Sequence, residues 1–184
     1  MTAHTAAGKL QGLAEDAYWY EAAFIAGITN ALNVAADGLI TPAGSLIEPV
    51  DENAADEKTQ NVFAEIRDFY GEPDVPLVFR VMARDPIYLA SFWKALRHAF
   101  SDNRLQRRVK DALAFAVSLT TRSAFGTAFH LAQMRRRDVT DAGVMEVVGV
   151  TQMFSSYTKI ADTLQLQPDM GHIAPADPSG VPGQ

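Results

Sequence analysis

Residues 111–130 read DALAFAVSLTTRSAFGTAFH, and the two helices encoded there set the architecture of the chain. Asp111, Phe115, Ser118 and Arg122 recur at i, i+4, i+7 and i+11, the spacing that lines side chains along one face of a helix. The short polar run Thr120-Thr121-Arg122-Ser123 then ends that helix and caps another, because small polar side chains compete for backbone hydrogen bonds. In the second helix Ser123 is placed to accept from an N–H two or three residues on, and Gly126, Thr127, His130 and Met134 share a face. Two helices meeting at such a corner aim Asp111 and His130 into one crevice.

Outward from this corner the same periodicity continues. Residues 103–121 and 124–137 are the paired helices, and Thr140 is placed to cap a long helix from 141 to about 165 with Val144, Val147, Val148, Thr151 and Phe154 as its inner stripe. Upstream, residues 59–71 carry Val62, Phe63, Ile66, Phe69 and Tyr70 at helical spacing, with Gly71 as the stop. Residues 77–100 divide into two helices at Asp85-Pro86. A first helix over 9–34 is apolar nearly all round and includes Tyr18, Trp19 and Tyr20, a group read as core or subunit contact. Gly38, Pro42, Gly44 and Pro49 punctuate a connector after it. The division expected is 1–56 for the first helix and connector, 57–166 for a helical core, and 167–184 for a tail with four prolines and three glycines in eighteen residues, expected to be extended or mobile. No strand-like alternation exceeds four residues, so the expected class is all-α with about seven helices.

Composition excludes whole classes of function. The chain has 184 residues, 48% of them hydrophobic, enough for one domain with a sizeable core. A formal net charge of −6 and a pI near 5.1 argue against nucleic-acid binding, which wants a basic stripe. Arg135-Arg136-Arg137 is read as a solvated helix end opposing the macrodipole. The absence of cysteine rules out disulfides, thiolate–zinc sites and thiol catalysis. Residues 17–35 are apolar, but Gly27, Thr29, Asn30 and Asn33 interrupt them and no lysine or arginine flanks them closely. A buried helix is expected rather than a membrane span, in a cytoplasmic protein without a targeting peptide. His4 and His172 fall in terminal segments, and His98 reads as a surface or packing residue. No metal-ligand spacing, phosphate loop or G-x-S-x-G elbow is present, so neither metal nor cofactor is expected.

The spacing Asp111-x11-Ser123-x2-Gly126-x3-His130 resembles the alkylhydroperoxidase D / carboxymuconolactone decarboxylase superfamily, whose peroxidase branch carries Glu-x11-Cys-x2-Cys-x3-His. The likeness spans roughly residues 60–166 and includes HLAQMRRRDVTDAGVMEVVGVTQMFSSYTKIADTL, similar to that family's helix, turn and long closing helix. It implies an alkylhydroperoxidase D-like bundle. It does not imply a peroxidase, because a serine hydroxyl titrates far above a thiol and cannot climb the thiol oxidation ladder. The decarboxylase branch works without a cysteine pair, which implies cofactor-free proton transfer on a small organic acid or lactone. In that reading His130 moves the proton, Asp111 holds its tautomer or stabilises the imidazolium, and Ser123 with its helix N–H groups binds a carboxylate or enolate. Arg122 pairs with the carboxylate if turned inward. Gly126 allows close approach of a ligand or a neighbouring helix.

Two further readings stand beside this one. Val75-Pro76 with Arg80, Ala83, Pro86, Tyr88, Leu89 and Trp93 resembles the cofactor-free 2-haloacid dehalogenases built from two helical repeats. There Asp74 or Asp85 would activate water beside Phe79, Tyr88 and Trp93. The other is a non-catalytic superfamily member that keeps a pocket for a small ligand. The superfamily resemblance and the aromatic first helix imply a homodimer or a higher oligomer built of dimers, with Met153, Phe154 and Tyr157 of the closing helix as a second surface.

Overall fold

The computed structural model describes residues 16–166, so residues 9–15 of the expected first helix, His4, and the 167–184 tail with His172 lie outside the described residues. Seven helices follow in order among them: α1 (Asp16–Leu39), α2 (Glu57–Tyr70), α3 (Leu77–Met82), α4 (Pro86–Phe100), α5 (Arg107–Thr121), α6 (Ala124–Arg136) and α7 (Asp141–Thr163). The sequence held no sheet, and the one departure is a two-residue antiparallel ladder, β1 (Ile40–Thr41) with β2 (Gly44–Ser45), pairing Ile40 with Ser45 and Thr41 with Gly44. Its turn passes through Gly44 at φ 132°, a conformation other residues rarely adopt.

Local signals account for most boundaries. Asp56 caps α2 by accepting from Thr59 N at 2.8 Å, and Gly71 ends that helix in the left-handed region at φ 65°. Asp85 caps α4 through Ile87 N and Tyr88 N, with Pro86 in the first turn. Thr140 accepts from Gly143 N at 3.2 Å and starts α7.

α1 is the axis of the bundle. It is long and apolar enough, by length and composition alone, to cross a bilayer. Here its buried stripe of Ile25, Thr29, Leu32, Asn33 and Ala36 packs against α4, α5 and α6 instead. It runs on through Gly38, past the expected end at residue 34. The hydrophobic core joins Ile25 and Leu32 to Phe63, Ile66, Phe79, Leu89, Trp93, Leu96 and Phe100. Burial of each such side chain contributes on the order of 1.5–3 kcal/mol. Lys110 is also fully buried: its Nζ donates to Ala99 O at 2.8 Å and Ser101 O at 2.6 Å and lies 3.2 Å from Glu21 Oε2. That one ammonium satisfies carbonyls at the end of α4 while tying α5 to α1.

α7 differs from the rest, since none of its residues is fully buried. Val144, Val147, Val148 and Thr151 of the expected inner stripe are half-buried against α5, whereas Phe154 is exposed.

Candidate functional site

The corner between α5 and α6 is built by two caps in succession. Arg122 ends α5 in the left-handed region at φ 58°, and Ser123 begins α6 by accepting from Gly126 N at 2.9 Å. The Arg122 side chain is exposed, while Ser123 is buried with its hydroxyl spent on the cap. A Cβ on Gly126 would lie 2.1 Å from Asn33 Oδ1 and 2.5 Å from Ser118 Oγ. What packs close to this glycine is therefore a side chain of α1. Asn33 is fixed there by donating to Ser118 Oγ at 3.1 Å and Thr121 Oγ1 at 3.2 Å.

Asp111 and His130 are both shielded from solvent, at 0% and 1% exposure. They do not hydrogen-bond to each other. Asp111 Oδ1 accepts from Arg107 Nε at 3.1 Å, and its Oδ2 lies 2.7 Å from Arg137 Nε, within ion-pair distance but without hydrogen-bond alignment. The carboxylate thus clamps the start of α5 to the end of α6. Burial raises its pKa against the opposing pull of Arg107 and then Arg137.

The His130 ring stacks on Phe100 at 5.9 Å and 5°, with Phe129 edge-on at 5.2 Å. Neither ring nitrogen has a hydrogen-bond partner. Burial, and secondarily the Arg107 cation, lower its pKa to about 3, so the imidazole is neutral at ordinary pH. Arg107 therefore acts on both members of the expected pair. Its Nε is held by Asp111, its guanidinium carbon lies 4.2 Å from the Phe69 ring centre and 5.0 Å from that of Phe100, and its Nη2 is buried without a partner. Buried polar atoms are nearly always paired, so the unpartnered nitrogens on His130 and Arg107 are exceptions within this part of the core, and none of the clefts described is lined by either residue.

Sequence reasoning found the Asp111–His130 register but missed Arg107 and Arg137, which occupy the acid. Arg107 and Asp111 sit at i and i+4 on α5, the one local signal for their pairing. The three-arginine run is not simply a solvated helix end. Arg136, though exposed, donates to Tyr70 O at 2.6 Å and Gly71 O at 3.0 Å and pairs with Glu72, while Arg137 pairs with Asp111 and Arg135 with Asp141.

The residues of the dehalogenase-like reading do not assemble into a site. Phe79 and Trp93 belong to the core, Trp93 Nε1 donates to Glu65 at 2.9 Å, and Asp85 is spent as a helix cap. Asp74 opens onto a separate cleft.

Comparison with known proteins bears on this geometry. Residues 86–166 match the model of the carboxymuconolactone decarboxylase family. Among solved structures the chain is similar to the alkylhydroperoxidase AhpD core from Rhodospirillum rubrum ATCC 11170, with a TM-score of 0.64 and 21% identity over 68% of this chain and 94% of that one. At that identity the likeness establishes the fold, an alkylhydroperoxidase D-like helical bundle. No curated protein matches the chain.

Proposed function

As a cysteine-free member of the alkylhydroperoxidase D / carboxymuconolactone decarboxylase-like superfamily, the chain is, we propose, a cytoplasmic, cofactor-free enzyme of the lyase type. It transfers protons on a small organic acid or lactone and is not a peroxidase. The observation that carries this reading is the pair of buried, unpartnered His130 nitrogens together with the buried, unpartnered Nη2 of Arg107, the cation whose charge bears on that ring. A neutral imidazole next to a free guanidinium edge is a proton acceptor next to a carboxylate or enolate receptor.

The depressed pKa of His130 supplies a means of activation. In the empty site burial and Arg107 make the imidazole a feeble base. A substrate carboxylate on Arg107 neutralises the second cause and brings a negative charge near the ring, raising the pKa toward the working range. His130 then takes a proton from carbon beside a carbonyl, the electron pair moves to the carbonyl oxygen, and Arg107 stabilises that oxygen. A shift of the double bond follows when His130 returns that proton to a different carbon; in loss of CO2 it is instead the C–CO2 bonding pair that moves to the carbonyl oxygen, and the enolate so formed takes a proton on carbon, relayed from solvent through the imidazole. Asp111 acts by holding Arg107 in place. Ser123 contributes through the cap that orients α6, and Gly126 by admitting Asn33. Arg107 and Arg137 have side chains 11% and 28% exposed, so an incoming anion meets them first.

The test is to incubate small lactones and unsaturated or keto acids with the protein in deuterated water and follow label entering carbon by NMR. Wild-type protein is expected to exchange label or consume at least one substrate. His130→Phe should lower the rate on the order of 10²–10⁴-fold. Binding without any turnover would reduce the site to a ligand-binding relic and overturn the catalytic reading. Chloride release from 2-chloropropionate that survives His130→Phe would move the assignment to the hydrolytic reading. Turnover of an organic hydroperoxide with a thiol reductant is expected to be absent.

A further inference from the structure

The largest of the clefts described, about 500 Å³, shares no residue with the His130 site and lies between the connector, α2 and α3. Its walls carry Asp51, Glu52, Arg67, Asp74 and Arg80 over a floor that includes Phe63. Two of these charges cancel, since Arg67 pairs with Glu52. Glu52 is fixed further by accepting from Val75 N at 3.1 Å, which draws the 51–52 backbone against the 74–75 backbone and brings Asp51 and Asp74 to the same cleft.

Arg80 is oriented by a reciprocal bond with the connector: Val50 N donates to Arg80 O at 3.0 Å, and Arg80 Nε donates to Val50 O at 3.0 Å. With Nε so used, its two terminal nitrogens have no partner among the described residues. That leaves a guanidinium edge on a lining residue of the cleft, in the geometry that takes a carboxylate in two parallel bonds. Asp74 is exposed and carries no hydrogen bond or ion pair among the described residues, and Asp51 accepts only from Asn53 N, at 2.8 Å. No three His, Cys, Asp or Glu side chains among the described residues converge as metal ligands, which separates this cleft from an acidic metal cage.

After the internal ion pair is set aside, the cleft presents one cation and two anions. We propose that it binds a small cationic amino acid, with the carboxylate on Arg80 and the two ammonium groups on Asp51 and Asp74. One carboxylate and two amines complement the lining charge for charge, and the connector bonds hold the receiving groups in place before the ligand arrives, which lowers the ordering cost of binding.

The test is calorimetric titration of the full chain with L-lysine, cadaverine and hexanoate, the last two each lacking one half of the recognition. Lysine should bind at a single site, and each half-ligand at least tenfold more weakly. Asp74→Asn removes a charge that makes no internal contact, so it should leave the melting temperature unchanged while weakening lysine binding at least tenfold. Arg80→Lys, which keeps the charge but loses the fork and the Nε bond to Val50 O, should also weaken lysine binding at least tenfold. Absence of lysine binding in the millimolar range, or cadaverine binding as well as lysine, would overturn the proposal. So would lysine binding unaffected by Asp74→Asn.

Discussion

His130 is an ionisable ring held where ionisation is penalised, and that has a measurable consequence for stability. Its folded pKa is about 3 against an ordinary 6.5, so between these values the unfolded chain takes up a proton that the folded chain does not. Stability is therefore lost as pH falls from 6.5 toward 3, by up to about 1.4 kcal/mol per pH unit from this group. His130→Phe cannot titrate, and its denaturation midpoint should fall less steeply than that of wild type over the same window. Equal slopes would show that the ring is solvated in the folded state. Gly126 offers a second residue-level measurement. Alanine there gains roughly 1 kcal/mol of helix propensity, but its Cβ meets the anchored Asn33, and overpacking of that kind costs about 1–3 kcal/mol. Gly126→Ala should destabilise the protein, and Asn33→Ala in the same chain should recover part of the loss, a non-additivity readable from a double-mutant cycle. Of these residues the sequence showed the register of Asp111, Ser123, Gly126 and His130. Asn33 and Arg107 stayed hidden, because nothing local tells which helix of a bundle packs against a glycine or which cation reaches a buried acid.

Helix boundaries were legible wherever a cap carries its own chemistry. The run from Thr120 to Ser123 specified the corner, Asp85-Pro86 the break between α3 and α4, and Thr140 the start of α7, since each acts on backbone groups within a few residues. The ends fixed by distant partners were not legible. Lys110 is the clearest case: it sits on a polar-looking turn of α5, yet it is fully buried beneath Glu21 and the last carbonyls of α4. Lys110→Met should cost about 3 kcal/mol or more, because it strands Glu21 and two carbonyls without their cation. Glu21→Gln should cost less, as the single amide oxygen can still accept from one of Arg104 N and Leu105 N, which now donate at 3.0 Å to Oε1 and Oε2 respectively, and Lys110 keeps its two carbonyls. The order of the two melting temperatures checks this. The reverse order would place the weight of the joint on the carboxylate. The three-arginine run was misread for the same reason as Lys110, its partners being Tyr70, Gly71, Glu72 and Asp111 on other elements.

For the molecule as a whole, the all-α class followed from periodicity alone, because no segment competes with the helical pattern. Assembly is the expectation that remains to be measured. Along α7, Met145, Val150, Met153, Phe154, Tyr157, Ile160 and Leu164 are all more than half exposed, and on α1 Tyr20 is 68% exposed. Apolar surface on that scale normally marks an interface, and aromatic and methionine side chains are those enriched at interface cores. A homodimer or an assembly of dimers is expected by light scattering at micromolar concentration. Met153→Glu with Tyr157→Glu should shift it toward the 20.0 kDa monomer without loss of helical signal, since neither side chain is buried. A monomeric wild-type chain would contradict this expectation.

The crowding around Gly126 also limits which side chains this corner can hold. A dithiol peroxidase of the related pattern would need cysteines at positions 123 and 126. A cysteine at 123 would give up the hydroxyl that caps α6, and a second sulfur-bearing side chain at 126 would have to begin where Asn33 Oδ1 now sits, 2.1 Å from the new Cβ. Two substitutions alone do not install a dithiol site here. Asn33 must first withdraw to admit the new side chain. The packing of Asn33 on Gly126 thus closes this corner to a thiol pair.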